Sequence, residues 1–222
     1  MRSAQSTLLA CALLRASLGS IHAYSLIIDS FETELHASRG SVSAVYSTAL
    51  VSLTMAVLVG HPLFRRLSGS FIVLIVSGGA AGGLLITAWS SLLGCVIVGY
   101  GIIFGAANGL GYAFSLQRAA EANPERRGFA LGWVTAAYAL GASVAAALLD
   151  GPIESAGTSR SLRSLALVII SAGLTAAFLL AGSGRSSSVG QEQIGPPVLR
   201  QLVGRLWAGY GLATVGGLMT LG

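Results

Sequence analysis

The sequence predicts an all-helical membrane protein, and three observations carry that expectation. Apolar residues make up 54% of the chain and charged residues 9%, against about 25% charged in an ordinary soluble domain. The apolar residues fall in continuous runs of about 20, the length that crosses the hydrocarbon of a bilayer. Thirty glycines are too many for a water-soluble helical protein. They suit membrane helices, whose backbones approach closely where side chains are small.

Six segments reach the spanning length: Thr7–Ile28, Ser41–His61, Ser70–Ala88, Leu92–Phe114, Gly128–Leu149 and Ser164–Gly182. A seventh run, Leu206–Gly222, stands at the short limit for spanning. None of the runs alternates every second residue, so a membrane barrel does not fit. Without water to satisfy backbone groups, helices remain. Between residues 183 and 204 the chain turns polar, with Ser-Gly-Arg-Ser-Ser-Ser, then Gln191-Glu192-Gln193, then Gly195-Pro196-Pro197. That composition reads as a flexible linker. The expected organisation is a six-helix bundle over 1–182, a cytoplasmic linker over 183–204 and the start of a further block over 205–222.

Orientation follows from arginine, since all thirteen basic residues are Arg. With the N-terminus inside, Arg2, Arg65, Arg66, Arg118, Arg126, Arg127, Arg185, Arg200 and Arg205 are cytoplasmic, and only Arg39, Arg160 and Arg163 are outside. The bias matches the positive-inside rule. It also accounts for the net charge of +5 without nucleic acid, because the arginines form no stripe beside aromatic residues. Arg15 interrupts the first apolar run and no small-x-small site follows, so that run reads as a retained helix rather than a signal peptide. Cys11 and Cys95 fall in apolar segments near opposite membrane faces and read as buried small residues, neither bridged nor ligating.

The same segments carry the residues with chemistry. Arg15 lies within the first helix, where a charge costs roughly 2.5 to 3.5 kcal/mol on insertion scales. Two readings of it stand open: a binding charge for an anionic solute, or a guanidinium snorkelling to the cytoplasmic headgroups. His22 shares its face seven residues on, with Gly19 between. It is a proton relay or solute donor on one reading and a helix–helix hydrogen bond on the other. Asp29 continues that stripe at the outer interface, where a solvated carboxylate is ordinary. The fourth helix aligns Gly101, Gly105, Asn108, Tyr112 and Ser115 on one face. Gly101, Gly105 and Gly109 make two G-x-x-x-G steps, which predict close packing. Asn108 must face protein or water, because an amide in lipid is costly. Thr135, Tyr138 and Ala142 share a face of the fifth helix, and Trp89 and Trp133 read as interface anchors or packing.

No enzyme signature emerges. His22, His36 and His61 fall in different membrane layers, so no metal site is expected. No serine sits in a nucleophile elbow. The glycine run Gly78–Gly83 lies inside an apolar helix, without the strand and Lys of a phosphate loop. No cofactor is expected.

Three stretches resemble the major facilitator superfamily, and within it the oxalate/formate antiporter and monocarboxylate transporter-like branch. The first is Gly60-His61-Pro62-Leu63-Phe64-Arg65-Arg66, where Gly60 and Arg65 match the family's Gly-x-x-x-Asp-Arg loop and Phe64 replaces its Asp. The second is Pro124-Glu125-Arg126-Arg127-Gly128-Phe129-Ala130-Leu131-Gly132 with Tyr138-Ala139-Leu140-Gly141-Ala142. Its Gly141-Ala142 stands where drug antiporters carry Gly-Pro. The third is Arg205-Leu206-Trp207-Ala208-Gly209-Tyr210-Gly211, similar to the opening of a seventh helix. The resemblance implies the N-terminal half of such a transporter: six helices as two three-helix inverted repeats plus the start of a seventh. It implies alternating access in a cell membrane, with the N-terminus cytoplasmic and a small organic anion or monocarboxylate as solute, exchanged or proton-coupled. Arg15, His22, Asn108, Tyr112 and Tyr138 are the expected solute-binding residues, and Gly60, Arg65 and Arg66 the cytoplasmic gating loop. A lone half is not expected to transport, and a second half or a homodimer would complete it. The alternative is a non-transporting helix bundle acting as scaffold or assembly partner.

Overall fold

The computed structural model describes residues 2–181. The expected linker over 183–204 and the seventh run over 205–222, including the stretch Arg205–Gly211, lie outside the described residues. Within them, six helices are long and apolar enough to cross a membrane. Span 1 is Ala4–Leu26, span 2 Arg39–Val59, span 3 Gly69–Ala88, span 4 Leu93–Ala122, span 5 Pro124–Leu149 and span 6 Thr158–Ala181. No strand occurs among the described residues. The outer surface is apolar: Phe178 is 80% exposed, Trp89 72% and Val59 71%. Water would not tolerate that surface and lipid does. The chain is an integral membrane protein.

Local chemistry sets the ends. Ser38 and Ser68 cap spans 2 and 3, their hydroxyls accepting from the backbone N–H of Ser41 and Phe71, as serine does at a helix start. Gly157, with φ at +82°, turns the chain between spans 5 and 6, a conformation that favours glycine. Several boundaries differ from the sequence reading, among them the start of span 5 at Pro124 rather than Gly128. Span 4 runs on to Ala122. Span 6 begins at Thr158, so Arg160 and Arg163 stand on its first turns. Span 1 ends at Leu26, and Ile28, read as its last residue, opens a separate short helix, Ile28–Leu35. For spans 4 and 6 the hydropathy signal stops short of the backbone hydrogen bonding.

The spans pair in a pattern that survives exchanging spans 1, 2 and 3 for 4, 5 and 6: 1 packs on 5 as 4 packs on 2, 1 packs on 6 as 4 packs on 3, and 3 packs on 6. Each repeat has three crossings, an odd number, so the second enters from the opposite face and the repeats are inverted. Glycines make the equivalent seams. A Cβ on Gly141 would strike the backbone of Ala16, and one on Gly19 the backbone of Tyr138, in the seam of spans 1 and 5. In the matching seam, Gly105 and Gly109 face the backbones of Ala49 and Leu53 on span 2. This is half of a major facilitator-type fold.

Spans 1 and 4 are irregular in the halves that lie toward the short helix Ile28–Leu35. Span 1 is α-helical to Leu18 and then tightens into a 3-10 stretch over Gly19–Leu26. Span 4 widens into a π stretch over Ile97–Phe104. There the Gly99 and Gly83 backbones meet closely enough that a Cβ on either would clash.

Candidate functional site

Spans 1, 2, 4 and 5 frame an open cavity of about 320 Å³ lined by Arg15, His22, Leu50, Leu53, Tyr112, Thr135 and Tyr138. The volume is at the small end for ligand cavities. Its walls are mostly aromatic and aliphatic, with one fixed charge.

That charge is Arg15, midway along span 1. Its side chain is fully buried, whereas a snorkelling arginine would place its head at the surface. The Cζ atom stands 3.7 Å from the centroid of the Tyr112 ring and 4.6 Å from that of Tyr138. Both distances are within cation–π range. The two rings meet edge to face at 5.7 Å. Arg15 Nε donates to the carbonyl of Val134 at 3.4 Å, while Nη1 and Nη2 are buried without a hydrogen-bond partner among the described residues. The ion pairs there join Arg39 to Asp29 and Glu32, and Arg118 to Glu121; none reaches Arg15. A guanidinium presents five N–H donors in a planar fork that fits a carboxylate. Here the two outer nitrogens of that fork are unengaged.

His22 shares the cavity. Its Nδ1 lies 2.8 Å from the Tyr46 hydroxyl on span 2, and its ring meets that of Tyr138 edge-on at 5.4 Å. It makes a helix–helix hydrogen bond and lines the cavity at once. Tyr46 stacks on Tyr24 at 5.6 Å, and Tyr24 packs on Tyr100 at 4.8 Å. Five tyrosines thus run from the cavity toward the irregular stretches of spans 1 and 4. Their hydroxyls tie helices together: Tyr24 donates to the carbonyl of Val42, Tyr100 to that of Ile21 and Tyr138 to Asn108 Oδ1.

Asn108, expected in the wall, lies one layer behind it. It is fully buried, donates from Nδ2 to the Leu18 carbonyl at 2.6 Å and accepts from the Tyr138 hydroxyl at 3.1 Å. The loop residues stand apart from the cavity. Arg65 and Arg66 are exposed at the end of the short helix His61–Arg66. Gly60 admits the Leu110 side chain where a Cβ would sit, and Phe64 packs edge-on against Phe114 at 5.7 Å.

Leu50, Leu53 and Tyr46 escaped the sequence reading. The leucines carry no signal separating them from their apolar neighbours. Tyr46 did carry one, a hydroxyl in an apolar helix, which needs a partner when buried. Asp29 pairs with Arg39 at 3.0 Å, both strongly exposed, and takes no part in the site. Cys11 and Cys95 are free thiols.

No family model matches the chain. Over 136 residues, 61% of its length, it is 28% identical to an "Uncharacterized MFS-type transporter YhjX" of Escherichia coli (strain K12). The match covers 34% of that protein, so the chain corresponds to about a third of the length of the relative it resembles. The similarity is to a transporter of the major facilitator type.

Proposed function

We propose that this chain is the N-terminal half of a major facilitator transporter whose cavity receives a small organic anion, with a monocarboxylate as the best fit. Arg15 carries the reading. A cation in the middle of a span is unfavourable unless it has a use. This one is held beside two tyrosine rings, without a carboxylate partner among the described residues; it lines the cavity, and its outer nitrogens are buried without a hydrogen-bond partner among those residues. An anion there would supply the missing acceptors as charge-assisted bonds. One fixed positive charge matches one negative charge. Leu50, Leu53 and Thr135 would take the short apolar remainder, and Tyr112, Tyr138 and His22 would frame it.

Movement would follow alternating access, in which the solute favours one of two states by its difference in affinity. Coupling is by exchange or by a proton, with His22 the group suited to carry one. The loop at Gly60, Arg65 and Arg66 is assigned to the cytoplasmic gate, with the N-terminus on the cytoplasmic side. The wall is completed by a second half or a second copy, and transport by a lone half is not expected.

Uptake of labelled oxalate, formate or lactate into proteoliposomes tests the reading. The chain is assayed alone and with the C-terminal half of a relative. Uptake or binding that requires Arg15 supports it. Equal uptake or binding by Arg15→Ala removes Arg15 from the site.

A non-transporting assembly role is the second reading. It draws on the apolar faces of spans 2 and 5, where Met55, Leu58, Leu140 and Val144 are largely uncovered. It predicts no saturable anion binding under any condition.

A further inference from the structure

We infer that Asn108 is a positioning residue that couples occupancy of the cavity to the winding of the outer half of span 1. The inference rests on the reading of the cavity as a solute site. The carbonyl of Leu18 can only accept, so the amide must turn Nδ2 toward it and Oδ1 toward Tyr138. The Tyr138 hydroxyl hydrogen is therefore committed to Asn108 while nothing competes for it. Tyr138 also lines the cavity beside Arg15. A carboxylate seated on the Arg15 fork is a stronger acceptor than an amide oxygen and competes for that hydrogen.

The far end of the bridge is a junction. Leu18 is the last α-helical residue before the 3-10 stretch Gly19–Leu26. Eight residues is long for that geometry, whose hydrogen bonds are poorer than α-helical ones, and such stretches often mark hinges. Donors from span 4 reward the tightened form from outside. Asn108 grips the carbonyl of Leu18 at 2.6 Å and Tyr100 that of Ile21 at 3.0 Å. Ser17 and Ser20 add bonds back to the carbonyls of Leu14 and Ser17, which bend a helix at such a point.

The two halves of the bridge are not independent. Donation from Tyr138 into Oδ1 polarises the amide and strengthens the bond from Nδ2 to Leu18. Once an anion takes the Tyr138 hydrogen, Oδ1 is left buried without a donor and the polarisation that strengthened the bond to Leu18 is lost. The hold on Leu18 weakens. An empty cavity thus holds the outer half of span 1 tight, and an occupied one loosens it.

Hydrogen exchange over Gly19–Leu26 tests this in the 222-residue chain in lipid nanodiscs, with lactate as the probe and calorimetry reporting its binding. Exchange in the wild type is expected to rise about fivefold at saturating lactate, the effect of losing one net hydrogen bond. Asn108→Leu should exchange at the faster rate without lactate and show no further change. Tyr138→Phe, at lactate saturating for that variant, should lose the lactate response. A merely structural Asn108 would slow or speed exchange without making it depend on solute. If lactate binds and the wild-type exchange rate does not move, the coupling is wrong and the site reading stands. If Tyr138→Phe keeps the response, the coupling is wrong as well. If calorimetry detects no binding by the chain alone or combined with the C-terminal half of a relative, the site reading fails and the coupling falls with it.

Discussion

Spans 3 and 6 meet along an extensive helix contact, and it is dry. Ile72, Val73, Val76, Ala80 and Leu84 face Ala166, Ile169, Ala176, Ala177 and Leu180, and all are buried. Spans 1, 4 and 5 meet in the same close-packed manner, yet their seam carries a guanidinium, an amide and two phenols. Lipid is as apolar as leucine, so neither seam is assembled by exclusion of water. The dry one depends on shape alone. In the polar one, shape brings the backbones close enough for polar groups to find partners, and one group, Arg15, ends short of them. In a membrane that shortfall marks a site.

The largest effect should come from breaking the shape on the polar side. A Cβ at Gly141 runs into the backbone of Ala16, so Gly141→Val should destabilise by about 3 kcal/mol or more, read as lost monodispersity and a lowered melting temperature in detergent. Gly78→Ala on span 3, where the Cβ would meet open space, is the control expected to melt as wild type. A tolerated Gly141→Val would mean that the seam is not close-packed.

Arg15→Met separates stability from function. Replacing a buried unpaired cation with an apolar side chain of similar length should leave thermal stability equal or higher, by about 1 to 3 kcal/mol. Anion affinity should fall at least about 100-fold, the loss of two charge-assisted bonds. Arg15→Lys keeps the charge and loses the fork and the stacking, so its affinity should lie between. A variant that loses stability and affinity together would reduce Arg15 to a structural role.

On the dry side, the Ser77 hydroxyl is buried without a partner among the described residues, against Gly173. Ser77→Ala should raise stability by about 1 kcal/mol and leave anion binding unchanged. Thermal unfolding and calorimetry of the same preparation check both halves of that expectation.

The smallest effect belongs outside both seams. Arg39→Ala breaks an exposed pair with Asp29 and should change stability by less than about 0.5 kcal/mol. That change should vanish at about 1 M salt, where screening acts within about 3 Å. A larger shift would mean that the outer loop is coupled to the spans.

Much of the fold was legible in the sequence because lipid imposes a length and a composition on every crossing. The six runs and their glycines needed no tertiary information. The ends were less legible. Arg160 and Arg163 interrupt hydropathy without interrupting the backbone ladder, so span 6 reached further than its apolar run. The residues facing the cavity were legible where they broke the apolar pattern, as Arg15, His22, Tyr112 and Tyr138 do. Leu50 and Leu53 were not, since a leucine facing a cavity and one facing lipid look alike in a string of letters.

The sequence by itself determined that the chain lives in a membrane as helices, and that Arg15 and Asn108 require polar surroundings there. Only the tertiary structure decided what those surroundings are. It set Arg15 against two aromatic faces with its outer nitrogens buried and without a hydrogen-bond partner among the described residues, and it put Asn108 behind the wall on the Leu18 carbonyl. The reason is range. Hydropathy acts residue by residue along the chain, whereas the partners of a buried polar group come from helices far apart in sequence, and their distances are fixed only when the glycine seams close.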